Sequence, residues 1–151
     1  MIRFALTLLA VLMLPTAAAQ EKASAASSPM APITVHKSPT CGCCANWVTY
    51  LRSEGFQVDV VDHDDLGPIK ARYGVRPKLR SCHTASVGGY VIEGHVPADD
   101  IRRLLLERPS VIGLTAPGMP QMSPGMHSVE PKGYDVLTFD EFGNLSVFSK
   151  Y

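Results

Sequence analysis

The chain has 151 residues, 46% of them hydrophobic and 19% charged, with a formal net charge of +0. That length suits one compact domain, since domains commonly run to about 100–150 residues. The neutral balance offers neither the basic footprint of a nucleic-acid binder nor a polybasic patch for a membrane surface.

Met1-Ile2-Arg3 is a short positive start, followed by an uncharged apolar run from Phe4 to Leu14, then Pro15 and the small residues Ala17-Ala18-Ala19. This order predicts a secretory signal peptide over residues 1–19, cleaved after Ala19. The apolar run is shorter than the roughly 20 residues a membrane span requires, and no cysteine stands at the cleavage point to carry a lipid. The mature chain is therefore expected outside the cytoplasm and free of the membrane. Residues 20–32, rich in Ala, Ser and Pro, read as a flexible leader.

The predicted domain spans residues 33–151. Ile33–Lys37 alternates apolar and polar residues and reads as a strand. Ser38-Pro39-Thr40 turns the chain, with Thr40 placed to cap a helix that sets Cys44, Trp47, Val48 and Leu51 on one buried stripe and ends at Gly55. Residues 56–61 read as a second strand, and Asp65 is placed to cap a second helix carrying Leu66, Ile69 and Tyr73, stopped by Gly74. Val75-Arg76-Pro77 offers a proline of the kind that faces the cysteine pair in thioredoxin-like folds, commonly in cis. Thr84–Val87 and Tyr90–Glu93 flank Gly88-Gly89 as a hairpin. A third helix follows from Pro97, with Asp99 and Asp100 in the first turn, where the macrodipole favours negative charge. Ile101, Leu104 and Leu105 form its inner stripe, and Pro109 halts it. Strand, helix, strand, helix, hairpin, helix is the order of an α/β, thioredoxin-like domain. Residues 113–131 hold Met119, Met122, Met126, His127 and several Pro and Gly without periodicity. They predict a Met/Pro/Gly-rich loop, functional or disordered. Residues 134–139 and 145–148, joined through Gly143-Asn144, read as a closing C-terminal β-hairpin.

Three of the four cysteines are crowded into Cys41-Gly42-Cys43-Cys44. A structural framework would spread its cysteines out, and near-adjacent ones bridge each other poorly, so the crowding points to chemistry. Cys41 and Cys44 alone have the Cys-x-x-Cys spacing of a redox pair, at a helix N-terminus that favours thiolate. Cys43 tilts the reading toward metal, because a dithiol site needs two sulfurs and a soft-metal site gains from each further thiolate. Cys82-His83 would fold back beside the triplet, making Cys41, Cys43, Cys44, Cys82 and His83 the candidate metal ligands. Met119, Met126 and His95 stand as secondary candidates, the methionines reading also as flexible apolar filler and His95 more often as a cap or turn residue. Soft thiolates select Cu(I), zinc or Fe–S, and thioethers favour Cu(I). Four thiolates can also bridge more than one Cu(I), giving a multinuclear cluster. The alternatives are a thiol-disulfide oxidoreductase using Cys41 and Cys44, a structural zinc module, and a disulfide from Cys82 to one triplet cysteine. His36 and His63 are expected exposed, His63 in an acidic turn with Asp62, Asp64 and Asp65 that is a weak separate metal candidate.

The chain resembles a family of small periplasmic metal-binding proteins, that of the copper-resistance protein CopG. The resemblance rests on Cys41-Gly42-Cys43-Cys44 with Trp47, Ser81-Cys82-His83-Thr84-Ala85, the run from Gly89 to Pro97, and Gly113 to Pro120 with Pro124-Gly125-Met126. It covers the chain from about Ile33 to Tyr151. The resemblance implies a thioredoxin-like fold, periplasmic location and copper binding through the Cys-x-Cys-Cys and Cys-His motifs. It also implies copper handling or resistance beside other periplasmic copper-handling proteins. Interconversion of Cu(I) and Cu(II) is the further activity it suggests.

Overall fold

The computed structural model describes residues 31–128 and 130–151. The signal peptide read over residues 1–19, and the leader up to residue 30, lie outside the described residues. Among the described residues no helix is long and apolar enough to cross a membrane.

The strands are β1 (Ile33–Lys37), β2 (Val58–Asp62), β3 (Thr84–Val87), β4 (Tyr90–Glu93), β5 (Gly113–Thr115), β6 (Asp135–Phe139) and β7 (Leu145–Lys150). The helices are α1 (Gly42–Ser53), α2 (Gly67–Arg72) and α3 (Ala98–Glu107). The strands form one mixed seven-stranded sheet in the order β2-β1-β3-β4-β5-β6-β7. β1 runs parallel to β2 and antiparallel to β3, and β3 and β4 form a hairpin. α3 carries the chain across so that β5 lies parallel to β4, a connection that parallel neighbours require. β6 and β7 then extend the sheet antiparallel. Gly88 and Gly89 take φ of +55° and +90° at the hairpin, the backbone for which a two-residue turn selects glycine.

α1 buries Cys44, Trp47, Val48 and Leu51, the predicted stripe. Trp47, Val48 and Leu51 pack with Ile101 and Leu104 of α3 over Ile33, Val35, Ala85, Val87, Ile92, Leu114 and Val136 of the sheet. Full burial of each large apolar side chain stabilises by about 1.5–3 kcal/mol, so this face supplies a core built without any metal.

Several expectations are corrected. Thr40 does not cap α1: Cys41 occupies the cap with no side-chain bond, while the Ser38 hydroxyl holds the turn through Thr40. α2 starts at Gly67 behind Leu66, with Asp65 accepting a bond from Gly67 N at 2.8 Å from one residue further out. Its buried residue is Lys70, and Leu66, Ile69 and Tyr73 are only half-buried, because α2 covers a polar row of the sheet. Pro77 is exposed and opens a 3₁₀ turn, Pro77–Leu79, and no described peptide bond is cis. Residues 113–115 are not loop but β5, a strand too short to display a period. The C-terminal hairpin is longer than expected and is the continuation of the main sheet. His36 and His63 are half-buried and face each other.

Candidate metal centre

β1 delivers the chain to Cys41, whose extended backbone (φ −78°, ψ 96°) precedes the first turn of α1. One helical step separates Cys41 from Cys44, and their Cα atoms stand 5.3 Å apart, joined by a disulfide. This corrects the expectation that the triplet bridges poorly: a three-residue step at a helix start meets the Cα separation of about 4.4–6.8 Å that a disulfide needs. Cys43 and Cys82 are free, so Cys82 is not bridged to the triplet. Cys43 Sγ lies 3.6 Å from Cys41 Sγ and 3.9 Å from Cys82 Sγ. The four sulfurs all lie within 4.8 Å of one another.

Cys82 belongs to a second group with His83 and His95, whose donor atoms also converge within 4.8 Å. His95 Nε2 is 3.2 Å from Cys82 Sγ, and on its other side Nδ1–H donates to the Pro124 carbonyl at 2.7 Å. A carbonyl only accepts, so this bond places the proton on Nδ1 and leaves the Nε2 lone pair toward the sulfur. Metal-ligating histidines are usually oriented in this way. His83 Nδ1 is 3.4 Å from Cys82 Sγ, and its buried Nε2 has no hydrogen-bond partner. Trp47 lies against the His83 ring at 4.4 Å between centroids, its own Nε1–H donating to Val96 O at 3.0 Å. Burial above all, then the His95 and Lys70 charges, pushes His83 well below the usual imidazole range, and burial lowers His95. Both are therefore neutral near pH 7, the form that binds metal. Burial, then the neighbouring Cys43, pushes the Cys82 thiol up to about 11. The thiolate-favouring helix terminus thus does not extend to this sulfur.

Behind Cys82 lies a buried ion pair that the sequence did not disclose. Lys70 Nζ donates to Glu93 Oε1 at 2.6 Å and to Thr84 Oγ1 at 2.9 Å, while Thr84 Oγ1 donates to Glu93 Oε2 at 2.6 Å. Glu93 Oε1 also accepts from Ser81 N at 2.6 Å. A buried carboxylate thereby anchors the backbone one residue before Cys82. Nothing local to α2 marks Lys70 for burial; its partners Thr84 and Glu93 lie on the sheet opposite it.

Residues 116–128 form a strap over the site. Ser81 Oγ donates to Gly118 O, Gly118 N donates to Arg80 O, and Pro124 O holds His95. Met119 is exposed and Met126 half-buried. Gly125 has φ +85°, and a Cβ there would stand 2.6 Å from Trp47 N and 2.8 Å from Trp47 Cα. Neither backbone atom can swing aside, so only glycine lets the strap lie on α1. Gly125→Ala is expected to lower stability by about 1–3 kcal/mol, the usual cost of overpacking, and to speed amide exchange in residues 120–128. Unchanged denaturant midpoint and exchange would show that the strap is not seated there.

A family model described as a protein of unknown function, DUF411, matches residues 79–126, which include Cys82, His83, His95 and most of the strap. No curated protein matches the chain. A solved structure titled copper resistance protein CopG, form 1, is 39% identical with a TM-score of 0.74, covering 81% of this chain and 98% of that one. The chain belongs to the CopG family. Form 2 of the same protein agrees, at 39% identity and TM-score 0.75 over 82% of this chain and 99% of that one. The CopG-family likeness thus covers the sheet, the helices and the cysteine cluster together.

Proposed function

We propose that this chain is a periplasmic copper(I)-binding protein of copper handling or resistance, carrying the metal on Cys41, Cys43, Cys44 and Cys82. His95 and His83 stand beside the sulfurs as further ligands or as partners that orient them. In this reading β1–β4 with α1–α3 are a thioredoxin-like core, and β5–β7 with the strap are its elaboration. The observation that carries the proposal is the convergence of four sulfurs within 4.8 Å, one of them brought from a distant segment and shared with two imidazoles. Soft thiolates suit Cu(I), zinc or Fe–S, and copper is favoured among these because the similar solved proteins are titled copper resistance proteins. The donor set fits more than one Cu(I), so a multinuclear cluster is part of the reading. Copper redox and exchange with other periplasmic copper-handling proteins are its functional extension. The exported location rests on the signal pattern of residues 1–19.

The disulfide sets a condition. Cys41 and Cys44 become available only after an external dithiol, itself oxidised to a disulfide, delivers two electrons and two protons to their bond; the resulting thiols then give up their protons on binding metal. Reduced protein is therefore expected to take up more Cu(I) than protein with Cys41–Cys44 closed. Anaerobic Cu(I) titration of both forms, with X-ray absorption at the copper edge, measures this. Absence of copper–sulfur scattering ends the proposal.

The Cys41–Cys44 disulfide at the start of α1 favours a second reading, a thiol-disulfide oxidoreductase in which Cys41 attacks and Cys44 resolves. That reading predicts turnover without metal that survives Cys43→Ser. A structural zinc module ranks last, because the core does not depend on the cluster.

A further inference from the structure

Away from the cysteines, two histidines the copper reading does not use meet on the α2 face of the sheet. His36, on β1, and His63, just beyond β2, bring Nδ1 and Nε2 to 2.9 Å, with ring centroids 5.1 Å apart and a tilt of 46°. Both are half-buried. Their backbones are tied, His63 N donating to Lys37 O at 2.8 Å, so the approach is built into the pairing of β1 with β2. On the far side of the His36 ring, Tyr73 Oη of α2 lies 3.5 Å from Nε2 and 3.4 Å from Ser86 Oγ. Nδ1 is thereby turned toward His63.

Two imidazoles spaced this way share either a proton or a cation. With metal–nitrogen bonds of about 2.0–2.1 Å, two nitrogens on one ion stand about 2.9 Å apart at a right angle and about 3.3 Å at the tetrahedral angle. The observed spacing falls at the first of these, so the two nitrogens already stand at the separation that one shared cation requires. Burial, and then the charges of His63 and Arg72, hold His36 below the usual imidazole range, keeping its lone pair free near neutral pH. Of the two carboxylates flanking His63, Asp62 is engaged by Lys37 at 2.9 Å, and among the described residues no carboxylate or thiol converges with both imidazoles. The donor set is therefore imidazole nitrogen with solvent.

We infer that His36 and His63 form a second metal site, distinct from the sulfur cluster, that takes a divalent first-row cation, Cu(II) ahead of the others. Imidazole nitrogen suits these ions, and affinity along the row peaks at Cu(II). No thiol participates, so the site does not depend on the state of Cys41 and Cys44 and stands or falls apart from the Cu(I) proposal.

The test uses the full chain carrying Cys43→Ser and Cys82→Ser with the Cys41–Cys44 disulfide closed, so that no free thiol reduces the probe. Titration with Cu(II), followed by electron paramagnetic resonance, is expected to show one axial copper with splitting from two imidazole nitrogens. In the ¹H–¹⁵N spectrum, substoichiometric Cu(II) should broaden His36, His63, Tyr73 and Ser86 first. His36→Asn and His63→Asn should each weaken binding by at least the roughly 10–100-fold that losing even a supporting partner costs a metal site. His127→Asn should leave it unchanged. Broadening centred on His127 or on His83 and His95, or unchanged affinity in both His36 and His63 variants, overturns the inference. The broadening needs no histidine variant, so a misfolded variant does not shelter it.

Discussion

Cys82→Ser is expected to remove most of the Cu(I) affinity while leaving the fold intact. This sulfur is the junction of the site: it is near Cys43 at 3.9 Å, near His95 at 3.2 Å and near His83 at 3.4 Å. Structural thiolate sites hold a metal by about 10–16 kcal/mol over four ligands, or roughly 2.5–4 kcal/mol for each. At about 1.4 kcal/mol per factor of ten, losing one ligand weakens binding by roughly 100-fold or more. The side chain is only partly buried, so serine leaves no large cavity and the thermal midpoint should stay within a few degrees. Proton release supplies an independent readout. The thiol is pushed up to about 11 by burial and by Cys43, so it is protonated in the metal-free protein near neutral pH and gives up its proton when metal binds. Wild type should therefore bind more tightly as pH rises and release one more proton per cluster than Cys82→Ser. Competition with a chelator of known Cu(I) affinity, in weakly buffered solution, measures both. Equal affinity and equal proton release in the variant would place copper elsewhere.

Lys70→Met should destabilise the protein more than any surface change. It removes the cation from a Glu93 that is fully buried and bonded to Lys70, Thr84 and Ser81. Breaking a buried pair from one side costs about 3–5 kcal/mol, which for a domain of this size corresponds to roughly 10–20 °C in thermal midpoint. The pH dependence has a definite sign. Burial already raises the Glu93 carboxyl above its usual value of 4.5, opposed by Lys70. Without Lys70 that opposition is gone and the folded protein binds the proton more readily still. The deficit of the variant is then smallest below the unfolded carboxyl pKa and grows as pH rises through the raised folded one. The double variant Lys70→Met/Glu93→Leu should regain most of the stability, as apolar replacement of buried pairs commonly does. It should not regain copper affinity, because Ser81 N has lost the acceptor that holds the Cys82 segment. Chemical denaturation from pH 4 to 8, set against Cu(I) affinity, separates these effects. Recovery of both together would show that the pair is structural only.

The difference between what was legible and what was not follows the range of each interaction. The α1 stripe of Cys44, Trp47, Val48 and Leu51 and the hairpin around Gly88-Gly89 are local, set by periodicity and turn chemistry over a few residues. β5 is not legible in the sequence, because three residues carry no period and their pairing with β4 exists only once α3 has crossed over. The burial of Lys70 has no local signal, because its partners Thr84 and Glu93 come from a different layer. His36 and His63, expected exposed, are half-buried because β1, β2 and α2 bring them and Tyr73 together only in the folded chain.

The sequence by itself determined the donor chemistry: sulfur-rich, crowded at a strand-to-helix junction, with a Cys-His pair downstream. Tertiary structure alone decided which atoms meet. It brought Cys82 to Cys43 and turned His95 toward the sulfur by binding its other nitrogen to Pro124. Donor type is a property of single residues, whereas convergence within 4.8 Å depends on sheet order, a buried ion pair and a strap whose glycine fits against α1. Those depend on segments tens of residues apart, beyond the reach of any local pattern.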